Sequence, residues 1–175
     1  MKKIALSIVF TIFTTFLFAQ SPFDKYEGND KVQTVVVTKK MFSLMSNIEV
    51  DAKGSEKQFL DLAKKLDNLK VFMTDNKSTA NEMKATVNSY LKSNPLDELM
   101  RINNEGKKVN IYVKSGASEN IVKELLMFIE SPNSGDSQAI VLSLTGNFNL
   151  DEISALTDKM NLPGGDELKK ASKKK

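Results

Sequence analysis

The sequence predicts an α/β (α+β) fold, a mixed sheet of about five strands with helices packed on it. Three observations carry this. β-Branched runs alternate with segments whose apolar residues recur at helical spacing. The chain has 175 residues, 41% of them apolar, enough to fill the core of a single domain. It has no Cys, so burial must hold that core together without disulfides.

The first segment lies outside the fold. Lys2 and Lys3 precede an apolar run over 4–18, broken only by Ser7 and three threonines, and Ala19-Gln20 closes it before Ser21-Pro22. This is the pattern of a secretory signal peptide over 1–19, cleaved after Ala19. The run is shorter than the ~20 residues of a spanning helix, and no basic stop-transfer cluster follows it. Residues 20–31 are polar and read as an exposed lead-in, with Phe23 and Tyr26 able to dock on the body.

A single α/β domain is expected over 32–163. Residues 32–39, centred on Val35-Val36-Val37, form a strand. Met41, Phe42, Leu44 and Met45 suggest one or two helical turns. Ser55 and Gln58 match a capping box, and Phe59, Leu62, Leu66 and Leu69 extend a helix over 55–68. A short strand is expected over 70–75. Thr79 and Glu82 suggest a second capping box before a helix ending near Lys92, stopped by Asn94-Pro95. Residues 98–102 and 109–114 read as a hairpin, with Gly106 free to take a positive φ. A short helix starting at Pro95 is the alternative for 95–101.

Ser118 is expected to open the most apolar helix, over 118–129, through Ile121, Val122, Leu125, Leu126, Phe128 and Ile129. Residues 139–144 form a continuous apolar strand, expected at the centre of the sheet. Asn149 and Glu152 cap a last helix through Ile153, Leu156 and Met160, ended by Leu162-Pro163-Gly164-Gly165. Residues 164–175 are expected to be a disordered lysine-rich tail. A weak echo between 32–93 and 98–160 is compatible with two related strand–helix–strand–helix halves. Any alternating chain gives such an echo, so both readings stand.

Composition excludes several functions. The chain has no His and no Trp, which removes the commonest general base, the commonest transition-metal ligand and the usual sugar platform. Without the two leader lysines, 23 basic residues face 22 acidic ones. Five of the 23 are Lys169, Lys170, Lys173, Lys174 and Lys175, so the body is net acidic, with 18 basic against 22 acidic residues. No basic face for nucleic acid is expected. The tail offers at most weak contact with an anionic membrane surface.

No constellation of residues points to catalysis. Ser172 and Lys175 give a Ser-x-x-Lys spacing in the tail, and no nucleophile elbow exists. Asp97-Glu98, Asp151-Glu152 and Asp166-Glu167 are adjacent acids, which on a helix point in different directions. Asp151 and Glu152 suit a helix N-terminus. Asn147, Asn149 and Asp151 alternate like a calcium loop, but Glu152 stands where that loop needs glycine. Gly116 and Gly146 are lone glycines read as preceding helices, without phosphate-loop spacing. Met41, Met45, Met73, Met83 and Met100 read as core filler more than as a binding surface. No catalytic residue, cofactor or metal is expected.

Several segments resemble a known family. They are the start ending Phe18-Ala19-Gln20, the lead-in Phe23-Asp24-Lys25-Tyr26-Glu27, and Val35-Val36-Val37 running into Met41-Phe42-Ser43-Leu44-Met45. Val109-Asn110-Ile111-Tyr112-Val113 and the closing Leu144 to Ile153 complete the set. Together they resemble the small exported proteins of Bacteroidetes-type bacteria described as domain of unknown function 4252. The resemblance implies an exported α/β domain of unknown activity. It also associates the chain with neighbourhoods of extracytoplasmic-function sigma factors, and so with envelope signalling.

The expected function is therefore an exported, non-enzymatic interaction module, periplasmic or extracellular, with a protein partner in the cell envelope. The alternatives are a small-ligand or envelope-surface binder and a carboxylate-based enzyme. An exposed apolar strand or groove would favour the first. A large pocket with two converging acids would favour the last.

Overall fold

The computed structural model describes residues 21–47, 53–104, 106–118, 120–131, 138–160 and 163–173. The expected signal peptide and the Ser172/Lys175 pair lie outside these residues or outside the side chains they describe. Six strands and five α-helices occur among the described residues: β1 (Gln33–Thr38), α1 (Lys39–Ser46), α2 (Ser55–Ala63), β2 (Leu66–Thr74), α3 (Lys77–Ser93), β3 (Asp97–Asn104), β4 (Lys107–Ser115), β5 (Ile121–Glu130), β6 (Ala139–Asn149), α4 (Ile153–Met160) and α5 (Gly165–Lys173).

The strands form one sheet in the order β1-β2-β6-β5-β4-β3, and every neighbouring pair is antiparallel. The fold is α+β, and the expected mixed sheet is corrected. The reason is where α3 takes the chain. It carries the chain from β2 to the far edge at β3, and the β3–β6 meander then fills the space between. No two strands of like direction become neighbours.

One row of side chains runs across all six strands: Val35, Val71, Leu142, Met127, Ile111 and Met100 are register partners in turn. Because alternate residues point to opposite faces, this row defines one face. On it lie Phe42 of α1, Phe59 and Leu62 of α2, Ile153 and Leu156 of α4, and Leu168 of α5. The other face carries Phe72, Leu126, Phe128 and Val141, covered by Met83 and Val87 of α3 and by Phe23 and Tyr26 of the lead-in. The sheet is thus the middle of three layers.

That burial explains the largest correction. Residues 121–130 are a strand, β5, and not the expected helix. Leu125, Leu126, Met127, Phe128 and Ile129 are consecutive and all at most 3% exposed. A strand between two covered faces buries every position, and such a run imitates helical spacing. With 121–130 in the sheet, the second half becomes four successive strands before its helix. No correspondence with the first half remains, so there is no sign of two related halves.

Other boundaries moved for local reasons. The helix expected over 55–68 ends at Ala63, and Leu66 and Leu69 belong to β2, which is longer than the expected 70–75. Ser55 is the first helical residue and not the cap; Gly54 holds the cap position. In α3 the cap is Asn76, whose Oδ1 accepts from Thr79 N at 3.0 Å and from Thr79 Oγ1 at 3.0 Å. Thr79 is therefore held by the cap and does not supply it. Residues 97–101 belong to the hairpin and not to a helix starting at Pro95, and Gly106 has φ 83°. The strand begun at Ala139 sits third of six and runs on to Asn149.

The lysine-rich end is not wholly a tail. Gly165–Lys173 forms α5, with Leu168 and Ala171 each 2% exposed. Gly164 makes the approach, at φ 75°, where an added Cβ would lie 2.7 Å from Ile129 and Met127 side-chain atoms. Lysines dominate the segment, yet Leu168 and Ala171 are three apart and share one helix face, which suffices to dock it. The lead-in is likewise anchored: Phe23 and Tyr26 are each 1% exposed.

Candidate interaction surface

The acidic pairs have structural roles. Asn149 and Glu152 form a reciprocal capping box, with Glu152 Oε2 accepting from Asn149 N at 3.1 Å. Lys65 Nζ also lies 2.5 Å from Glu152 Oε1. Asn149 Oδ1 accepts from Asp151 N at 3.1 Å, so the oxygen of the calcium-like motif is turned to the backbone. Asp97 and Glu98 are adjacent on β3 and point to opposite faces; Glu98 pairs with Arg101 at 2.5 Å. Glu167, in the first turn of α5, accepts from Lys107 Nζ at 2.7 Å. Burial alone would raise its pKa, but the Lys107 hydrogen bond, its own backbone N–H and the nearby lysines hold it below the ordinary value. Among the described residues, no three His, Cys, Asp or Glu side chains come within metal-binding range of one another.

The lone glycines do not precede helices. Gly116 closes the β4–β5 turn, its N–H donating to Ile121 O at 2.6 Å. Gly146 lies inside β6, where an added Cβ would run into the Lys65 carbonyl oxygen. Its smallness admits the neighbouring backbone at the start of β2 and cradles no phosphate. Of the methionines, Met83 is fully buried, and Met45, Met73 and Met100 pack against the core.

The lead-in is held by charge as well as by aromatic packing. Lys70, on the α3 side of β2, pairs with Asp24 at 2.5 Å and Glu27 at 2.8 Å. Burial would lower its pKa, but these two carboxylates hold it above the ordinary lysine value. Tyr26 Oη and Thr86 Oγ1 share a 2.8 Å hydrogen bond. Tyr90 Oη donates to Glu124 at 2.6 Å, and burial together with that carboxylate raises its pKa strongly. Two buried oxygens, Thr34 Oγ1 and Asn68 Oδ1, have no hydrogen-bond partner. They lie four rungs apart on the β1–β2 ladder and form no site.

Two open cavities are found among the described residues. A groove of about 250 Å³ on the β3–β4 hairpin is lined by Arg101, Ile102, Asn103, Lys108 and Asn110. A smaller one of about 60 Å³ lies between α3 and the start of β6. Neither brings two acids together. No helix among the described residues is long and apolar enough to cross a membrane.

The sheet edges differ sharply. The β3 edge carries Asp97, Glu98 and Arg101 and is broken by a bulge between Glu98 and Met100. Charges and bulges are how edges resist further pairing. The β1 edge, Gln33-Thr34-Val35-Val36-Val37-Thr38, has no charge, no Pro and an unbroken register with β2. Val35 is 44% and Val36 40% exposed, and Met41 and Leu44 of the adjoining α1 are 52% and 59% exposed. Val35 points to the α1 side of the sheet and Val36 to the α3 side, so the edge shows apolar side chains on both faces, and exposed apolar side chains of this size mark interaction surfaces. Sequence reasoning found this strand and missed that it is an edge, which depends on strand order.

The geometry defines a small α+β domain, a six-stranded antiparallel sheet covered on both faces, with an open apolar edge. The family profile for Domain of unknown function (DUF4252) matches residues 26–156, and the chain belongs to that family. No curated protein and no solved structure matches the chain.

Proposed function

We propose that the protein is an exported, non-enzymatic interaction module that offers β1 and the exposed side of α1 to a protein partner in the cell envelope. The observation that carries this is the uncharged, unbulged β1 edge with Val35, Val36, Met41 and Leu44 exposed. An extended segment added there gains main-chain hydrogen bonds along about 20 Å of strand. The acidic side chains support the same reading, since Glu98, Glu152 and Glu167 are each engaged by a cation of the fold. Export rests on the leader pattern of residues 1–19, which places the mature terminus at Gln20 or Ser21.

The test is capture from the native envelope fraction, comparing the unaltered chain with Val36→Lys and with Arg101→Ala on the opposite edge. A partner retained by Arg101→Ala and lost by Val36→Lys, with unchanged melting temperature, is the expected result. A partner retained by both variants would move the surface away from β1. Mass analysis of the same sample checks the terminus, and an intact Met1 on a membrane-bound chain would overturn export.

A further inference from the structure

We infer that β1 pairs with β1 of a second copy of this chain, giving a two-fold dimer with a continuous twelve-stranded sheet. This rests on the reading of β1 as a docking edge and names its occupant.

The sequence of the edge carries the inference. Thr34-Val35-Val36-Val37-Thr38 reads the same in both directions about Val36. Antiparallel pairing about that residue sets Val36 against Val36, Val35 against the second copy's Val37, and Thr34 against its Thr38. A two-fold interface must be self-complementary, each patch meeting itself. Valine–valine and threonine–threonine pairs are favourable cross-strand partners. An edge meant for an unrelated strand has no need of this symmetry.

Burial and charge agree with that register. Val37 already packs against the core while Val35 does not, so each copy's Val37 would sit beside the other's exposed Val35. The two-fold axis stands perpendicular to the sheet, so both α1 helices fall on the same side and bring Met41 and Leu44 into one apolar strip. No like charges come opposite one another. Gln33 meets Lys39, whose ammonium is already paired with Asp67 at 2.7 Å. One six-residue strand with four exposed apolar side chains per copy is a small interface, which belongs to the weak, reversible class.

The chain has no cysteine, so a single introduced thiol reports its own neighbour. The experiment uses the purified native chain. Sedimentation equilibrium from ~1 μM to ~1 mM should show reversible dimerisation with a midpoint on the order of tens of micromolar. Val36→Lys, which places two ammonium groups on the axis, should weaken it at least tenfold. Val36→Thr keeps the β-branch and should still dimerise. Under copper–phenanthroline oxidation, Val36→Cys should cross-link at least ten times faster than Arg101→Cys on the other edge.

A chain that stays monomeric at ~1 mM, or equal cross-linking of the two cysteine variants, overturns the dimer. If that monomer still captures an envelope protein that Val36→Lys loses, the docking edge stands and its occupant is a foreign segment. If a dimer forms but is untouched by Val36→Lys, the copies meet elsewhere and the β1–β1 pairing fails, while the docking edge is decided by the capture experiment.

Discussion

Leu125 and Leu126 give the sharpest test of the three-layer arrangement. They are adjacent in sequence and both fully buried, Leu125 in the cluster under α2 and α4, Leu126 in the cluster under α3. Truncating either to Ala should cost about 2–5 kcal/mol, the transfer term plus the cavity left behind. At ~2–4 °C per kcal/mol for a domain of this size, each melting temperature should fall by about 4–20 °C. The two sites touch different layers, so their effects should add. The milder pair Leu125→Val and Leu126→Val removes one methylene at each site, at about 1 kcal/mol apiece. Urea denaturation of the double variant should give the sum within ~0.5 kcal/mol. A cost below ~1 kcal/mol for either alanine variant would mean that layer is not packed as described. A larger departure from additivity would mean the two leucines are coupled, through shared partners or through the backbone that joins them.

Three other variants probe the supports of the fold. Glu152→Ala removes half of the Asn149 capping box and the Lys65 ion pair and should cost about 0.5–2 kcal/mol, read by urea denaturation. Gly146→Ala should destabilise by about 1–3 kcal/mol, because its Cβ meets backbone at Lys65 and Leu66, which cannot swing aside as a side chain would. Acid should loosen α5 before the sheet. Glu167 has a lowered pKa, so its contribution is present above the ordinary value of 4.5 and is lost as pH falls through its folded value. Protection from hydrogen exchange over 165–173, relative to the intrinsic rate at each pH, should therefore fall as pH drops through the lowered folded value, and Glu167→Gln should flatten that dependence. Unchanged exchange would deny the Lys107–Glu167 tether any role.

The legibility of the sequence followed how far each signal is local. The β1 strand, the hairpin about Gly106 and the Asn149–Glu152 cap were readable because each is fixed within a few residues. The segment 121–130 was not, because its helical spacing and its continuous apolar run are the same residues. What separates them is the number of layers covering the segment, a property of the whole chain. α5 was hidden by composition. Its lysines dominate the average, and docking depends on the spacing of Leu168 and Ala171 and on the turn at Gly164.

The candidate surface shows a different kind of limit. Val35, Val36 and Val37 marked a strand at once, and the Thr34–Thr38 palindrome is visible in the bare sequence. Neither says anything about partners until strand order is known. Placed in the middle of the sheet, the same five residues would be an ordinary buried strand with both sides already paired, and their symmetry would be an accident of composition. Strand order puts β1 outermost, and the charged, bulged β3 on the opposite edge shows that this chain can defend an edge. An undefended strand beside that contrast is then a feature with a physical consequence. Only alternate residues of the six turn their main-chain groups outward and unpaired, and under the proposed pairing the same groups of a second copy would satisfy them.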